Sequence, residues 1–153
     1  MKCLKLIFCL LYFCCSLAEA KEVQVDAQKE VDEMTGRLVA SYLEAKVDED
    51  IIAGYASALR SDGSFPDLDY VTVHEGSSYP AGSHLKRLKL MAIAYRKPGN
   101  KYYNSGRLLK QIVAGIDYWY RVRPKSGNWW FGDIGAPQDY MVPLILLKGK
   151  ISD

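Results

Sequence analysis

The chain has 153 residues, with 20 Lys+Arg against 18 Asp+Glu and 49% hydrophobic residues. That is long enough for one domain with a buried core. The near-balanced charge and the absence of a long basic run exclude nucleic acid as the expected partner.

The N-terminus, MKCLKLIFCLLYFCCSLAEA, reads first. Lys2 and Lys5 precede an apolar run from Leu6 to Phe13, and Ala18-Glu19-Ala20 offers a small-x-small cleavage pattern. This is the grammar of a secretory signal peptide over residues 1–20, cut between Ala20 and Lys21. The apolar run is short of the roughly 20 residues a spanning helix needs, so no stable membrane insertion is expected after its removal. Removal takes two lysines and one glutamate, lowering the net charge from +2 to +1. Cys3, Cys9, Cys14 and Cys15 all lie in this leader. Residues 21–153 therefore offer no disulfide, thiolate nucleophile or cysteine metal site. A secreted or periplasmic protein of bacterial type is the expectation.

Val31, Met34, Leu38 and Tyr42 recur at spacings of three and four, which predicts a helix over residues 26–45. Asp48 or Asp50 can cap a second, with Ile51, Ile52, Tyr55, Ala58 and Leu59 facing inward until Ser61-Asp62-Gly63. Residues 64–82 carry Pro66, Gly76, Pro80 and Gly82 without a sustained period, and read as loop. The only strand-like run is Tyr70-Val71-Thr72-Val73. Ser83 is the expected cap of a third helix with a Leu85, Leu88, Met91, Ala92, Tyr95 stripe, ended by Pro98-Gly99. Ser105 opens a fourth, with Leu108, Leu109, Ile112, Ile116 and Trp119 on one face, stopping near Arg123-Pro124. Pro137 suits the first turn of a last helix. Pro143 then either kinks that helix or starts it. The fold class is all-α, about five helices joined as hairpins, each with an apolar face too large for itself. Such units stack on further copies.

The most informative stretch is SGNWWFGDIGAP, residues 126–137. Adjacent side chains point in different directions, so one core rarely takes both Trp129 and Trp130. Gly127, Gly132, Gly135 and Pro137 mark the segment as turn-rich. Two indoles there either cap a core or offer a flat surface to a ligand.

Catalytic constellations are sparse. No G-x-S-x-G, P-loop or dinucleotide motif occurs, so no cofactor is expected. His74 and His84, without a cysteine, make a poor metal site. His74 reads as a surface residue and His84 as a packing or capping residue. Asp67 and Asp69 read as loop-shaping residues and Asp117 as solvated. A glycosidase would need two facing carboxylates, which the sequence does not show.

Four segments in order, DGSFPDLDY (62–70), SHLKRLKLMAIAY (83–95), IDYWYRVRPKSGNWW (116–130) and DIGAP (133–137), resemble polysaccharide lyase family 8. The likeness is to the N-terminal α/α-toroid domain of its chondroitin, hyaluronate and xanthan lyases, nearest to the bacterial chondroitin AC type. Asp133 departs from the family's usual Glu, and Pro143 interrupts a helix that usually continues. The resemblance implies the first part of an incomplete α/α toroid, with the chain expected to be an N-terminal fragment. It implies an acidic polysaccharide partner, a glycosaminoglycan such as chondroitin or hyaluronan, cleaved by β-elimination at a uronic acid. That reaction needs a carboxylate neutraliser, a base and an acid. The family's Asn, His, Tyr and Arg for those roles lie downstream of the matched segments. No catalytic residue is carried over here.

The resemblance implies a substrate-binding role for Asn128, Trp129 and Trp130. An indole presents an apolar face to sugar C–H groups, and Asn both donates and accepts. Arg123, with Arg121 and Lys125, either draws an anionic glycan inward or forms a solvated edge. A stand-alone, non-catalytic helical glycan-binding protein is the alternative. Self-association through an unpaired apolar face, with Val142 to Leu147 the expected patch, is a further consequence of an open array.

Overall fold

The computed structural model describes residues 27–151. The leader and its cleavage point lie outside them. The chain divides into two compact units, Met1–Ala40 and Ser41–Asp153.

In the first unit the described residues belong to a helix, α1 (residues 27–43, whose last turn falls in the second unit). Its apolar stripe is exposed: Val31, Met34 and Leu38 retain 52%, 61% and 41% of their accessible surface.

The second unit holds α2 (Glu49–Ala58), α3 (Ser83–Arg96), α4 (Gly106–Val122) and α5 (Ala136–Leu146). No strand forms among the described residues, so the architecture is all-α. Around Tyr70–Val73 the chain turns instead, because the Asp69 carboxylate accepts from the Val71 and Thr72 amides at 2.9 and 3.0 Å. Side-chain capping starts α2 and α4. Asp48 accepts from the amides of Asp50 and Ile51, and Ser105 from that of Leu108. Ser83 does not cap α3. A 3-10 turn at Pro80–Gly82 feeds directly into it, so the backbone is already helical there.

α3 is the central element and packs against α2, α4 and α5. Its Leu85, Leu88, Met91, Ala92 and Tyr95 are buried, facing Leu108, Ile112, Ile116 and Trp119 of α4. Gly115 permits this approach, since a Cβ there would lie 2.6 Å from a Leu88 methyl. The mid-helix glycine costs about 1 kcal/mol in propensity and yields close packing in return.

Two expectations about the apolar faces change. In α2, Ile52 and Leu59 face inward, but Ile51 is 46% exposed and Ala58 is exposed. The last helix runs through Pro143 rather than starting at it. Val142, Pro143, Leu146 and Leu147 are buried, with α5 lying against α3. The stretch expected to be an open patch is thus mostly core.

Candidate functional site

The segment from Ser126 to Pro137 is not an irregular loop. Trp129 and Trp130 already form the first helical turn, Phe131–Gly135 is a π-helical turn, and α5 continues from it. The wider π turn arises within an otherwise continuous helix, the setting in which such turns are commonly found at functional sites. Asn128 starts this helix. Its Oδ1 accepts from the Trp130 amide at 2.9 Å, and its carbonyl accepts from the Phe131 and Gly132 amides.

A second loop fixes the turn in space. The Gly127 amide donates to the His74 carbonyl at 3.1 Å, and Asn128 Nδ2 donates to the Gly76 carbonyl at 2.8 Å. The Tyr79 hydroxyl donates to the Pro124 carbonyl at 2.9 Å. Three bonds between residues about fifty positions apart bind the 74–79 segment to the 124–128 segment. Asn128, expected to contact sugar, spends one N–H and one lone pair inside the protein. Its second N–H and second lone pair are left over.

Trp129 and Trp130 keep 67% and 45% of their surface exposed, whereas Trp119 keeps 7%. The Trp130 ring lies over Gly135, where a Cβ would approach it to 2.8 Å. It also meets Phe131 edge-on at 5.3 Å, and Phe131 stacks on Tyr79 at 5.6 Å. One face of Trp130 is therefore supported and the rest is open. The two hollows beside it share Tyr79 and Ala136 as a common wall. One, of about 240 Å³, is lined by Trp130, Gly135, Lys86, Gln138 and Asp139 among others. The other, of about 320 Å³, lies between Tyr79, Trp119, Tyr120, Arg123, Gly132 and Tyr140.

Arg123 ends α4 with left-handed backbone, φ 47°, and lines this second hollow. Its Nε donates to the Tyr120 carbonyl at 3.1 Å and its guanidinium lies 4.6 Å over the Tyr120 ring. The structure thus brings Asn128, Trp129 and Trp130 together on one turn and puts Arg123 and Trp130 in separate hollows that share Tyr79 and Ala136. Tyr79, Tyr120, Tyr140 and Lys86 line the same region and escape a reading of the sequence. Tyr120 is off the apolar stripe of α4 and 61% exposed, the one signal that could have found it.

Beneath the site lies a buried polar centre. His84 is fully buried, with Nε2 donating to the Gly115 carbonyl at 2.9 Å. A carbonyl only accepts, so this fixes the tautomer. Nδ1 then accepts from the Tyr70 hydroxyl at 2.9 Å, which in turn accepts from the Phe65 amide. Phe65, Tyr70, Tyr118 and Trp119 enclose the imidazole. Burial holds its pKa down to about 4, with the nearby Arg87 adding to this against the Gly115 bond. Arg87 is held by a two-pronged ion pair with Asp67, at 2.8 and 2.6 Å. His74 is half-buried rather than a plain surface residue, 3.7 Å from Asp69. Asp117 is exposed. Among the described residues no cluster of three His, Cys, Asp or Glu is able to hold a metal ion.

Comparison with known proteins gives a consistent picture. The family model of the polysaccharide lyase family 8 N-terminal alpha-helical domain matches residues 26–153. Chondroitinase-AC of Pedobacter heparinus is 34% identical over 92 residues, covering 60% of this chain and 13% of that protein. A hyaluronate lyase of Enterococcus faecalis is 28% identical over 95 residues, covering 57% of this chain and 10% of its own. A solved chondroitinase AC lyase, studied with bound oligosaccharides, aligns with a TM-score of 0.68 at 28% identity. That alignment covers 76% of this chain and 17% of the solved one. The chain thus spans a small part of the length of each relative.

Proposed function

The chain belongs to polysaccharide lyase family 8, and on that premise we propose that its Trp129–Trp130 turn binds an acidic polysaccharide of the glycosaminoglycan class. The relatives named for chondroitin and hyaluronan supply the substrate class. The observation that carries the reading is the pair of indoles, 67% and 45% exposed, on a backbone tied down by Asn128 and the 74–79 segment. Exposing two large apolar rings costs solvation, and tying their backbone down lowers the ordering cost of binding. A sugar ring offers an apolar C–H face to such a ring and hydroxyls to Asn128.

The role assigned to these residues is binding, within the opening hairpins of an α/α toroid. β-Elimination needs a base poised beside the substrate. His84 is spent on two internal bonds and sits below the surface. We assign the proton-moving roles to none of residues 27–151. Incubation of this chain with chondroitin or hyaluronan is expected to give no growth in ultraviolet absorbance from unsaturated uronate ends; sustained growth above a blank overturns that assignment. Export through the leader belongs to the same proposal. N-terminal sequencing of the exported protein should begin at Lys21, and a sequence beginning at Met1 overturns it.

Binding is tested by titrating the full chain with a chondroitin tetrasaccharide. Quenching or a blue shift of tryptophan emission is expected on saturation, and Trp129→Ala should weaken the affinity. Unchanged emission and unchanged affinity in both Trp129→Ala and Trp130→Ala would remove the platform.

A further inference from the structure

The hollow that contains Arg123 has a chemistry of its own. It is lined by three tyrosines, Tyr79, Tyr120 and Tyr140, with the nearly buried Trp119 and the small or compact Gly132, Ala136 and Pro137. At about 320 Å³ it is at the lower end of small-ligand sites. It is continuous with the tryptophan turn, since Gly132 in its wall follows Trp129 by three residues on the same helix.

Among the described residues that line this hollow, Arg123 is the one cation. Arg123 donates from Nε to the Tyr120 carbonyl and holds its guanidinium over the Tyr120 ring, which orients the fork, and neither terminal nitrogen is hydrogen-bonded among the described residues. No carboxylate among the described residues forms an ion pair with it. Compare Arg87, whose two terminal nitrogens are both taken by Asp67. An oriented guanidinium with a free edge matches a planar carboxylate in two-pronged fashion. Tyr140 lines the same hollow, half-buried, and its hydroxyl has no hydrogen bond among the described residues. Burial, Asp117 and Tyr120 push its pKa up, so it remains a donor at neutral pH.

We propose that the Tyr79–Tyr120–Arg123–Tyr140 hollow is a separate subsite for a carboxylate-bearing sugar ring, with Arg123 gripping the carboxylate and Tyr140 donating to a ring substituent. This rests on the glycan-binding reading of the adjacent turn and adds to it a residue-level reader of the uronate charge. The tryptophans supply stacking that is blind to charge. Arg123 supplies the discrimination.

The experiment is a pair of titrations of the full chain, with an unsulfated chondroitin tetrasaccharide and with its carboxyl-reduced counterpart. Arg123→Gln is expected to weaken binding of the native oligosaccharide by about tenfold or more, the scale of a hydrogen bond to a charged group. It should leave the carboxyl-reduced oligosaccharide within about twofold, since that ligand offers no charge to pair. Arg123→Lys keeps the charge and loses the fork, and should restore only part of the affinity. Tyr140→Phe keeps the ring and the fold, and should weaken both ligands a few-fold through one lost hydrogen bond. Thermal midpoints near that of the unmodified chain certify each variant as folded. Equal weakening of both oligosaccharides by Arg123→Gln, or none in either, overturns the subsite. Trp129→Ala separates the two readings: if it weakens both oligosaccharides while Arg123→Gln is silent, the platform stands and the subsite falls. If Trp129→Ala and Trp130→Ala are silent as well, the platform falls with it.

Discussion

Trp119 and Trp129 sit at the two ends of one short connection, and the chain treats them oppositely. Trp119 is 7% exposed, at the last turn of α4, packed with Ala81 and Leu85 and tilted against His84. Trp129 is 67% exposed on a turn whose own backbone is hydrogen-bonded to another loop. Around Trp119, side chains do the holding. Around Trp129, backbone and amide bonds do it, and the ring is left free. Were both rings there for stability, both would be buried. The contrast assigns the first ring to the core, and the proposed recognition role falls to the second, which is exposed.

The largest effect is expected from truncating the buried ring. Trp119→Ala should cost about 3–5 kcal/mol, as a large core ring replaced by a cavity. Denaturant melts of the two Trp→Ala variants make the check. A loss below about 1 kcal/mol at Trp119 would mean that the ring is not core after all, and Trp129→Ala should remain within about 1 kcal/mol of the unmodified chain.

Acid probes the same buried end. His84 has a folded pKa near 4 against an ordinary histidine value of 6.5, set first by burial. The folded state therefore resists a proton that the unfolded chain accepts. Its contribution is fully present above about pH 6.5, declines as pH falls, and is lost by about pH 4. The size is of order 3 kcal/mol, from about two and a half pH units at 1.4 kcal/mol each. Unfolding free energy measured from pH 7 to pH 4 should fall on that scale. In His84→Gln, which can still donate to the Gly115 carbonyl, the decline over this window should be much flatter. An equal decline in both proteins would shift the cause to the carboxylates, of which Asp62, Asp67 and Asp69 are held low by their hydrogen bonds.

A smaller effect is expected at the exposed end. Trp129→Ala should weaken tetrasaccharide binding by about tenfold, the scale of one stacked ring at roughly 1–3 kcal/mol in the analogous base–aromatic case. Trp130→Ala should weaken it less, because one face of that ring already rests on Gly135 and Phe131. A reversed order would place the primary sugar contact on Trp130.

Legibility in the sequence follows the same division. The α3 and α4 stripes can be read because Leu85, Leu88, Met91, Ile112 and Ile116 keep a helical period and a period survives into packing. Asp48 and Ser105 can be read because a cap is a local bond. Gly115 and Gly63 look isolated in the sequence, for their reasons are distant: Leu88 in one case, the Ala114 carbonyl in the other, with φ +91° at Gly63. The helical start at Trp129 is hidden because the side chain that caps it also reaches Gly76, fifty-two positions away. The turn-forming glycines suggest a loop, whereas Gly135 makes room for an indole within a π turn. Val142 to Leu147 suggests an open face and proves mostly buried, because hydrophobicity does not state which neighbour covers it. Tyr120 and Tyr140 are two tyrosines among 11 until the fold puts them across one hollow.

The smallest expected effect on stability belongs to Asn128, which couples the fold to the exposed indoles. Its side chain caps the Trp129 helix through Oδ1 and ties it to Gly76 through Nδ2. Loss of such a cap costs about 1 kcal/mol when replaced by alanine, and both bonds are partly exposed, so the tie adds little more. Asn128→Ala should therefore lower the thermal midpoint only slightly. Binding should suffer more than stability does, because the freed turn must be ordered again each time a glycan docks. Asn128→Asp keeps the acceptor for the Trp130 amide and loses the donor to Gly76, so it isolates the tie from the cap. If the tie sets the platform, the Asp variant has near-normal stability and an affinity loss close to that of alanine, for the carboxyl-reduced oligosaccharide as well as the native one. Amide hydrogen exchange at Gly127 and Trp130 gives the independent readout. Faster exchange at Gly127 with protected exchange at Trp130 is the signature of a cut tie and an intact cap. Unchanged exchange at both, with affinity still lost, would instead make Asn128 a direct sugar contact through its remaining N–H and lone pair.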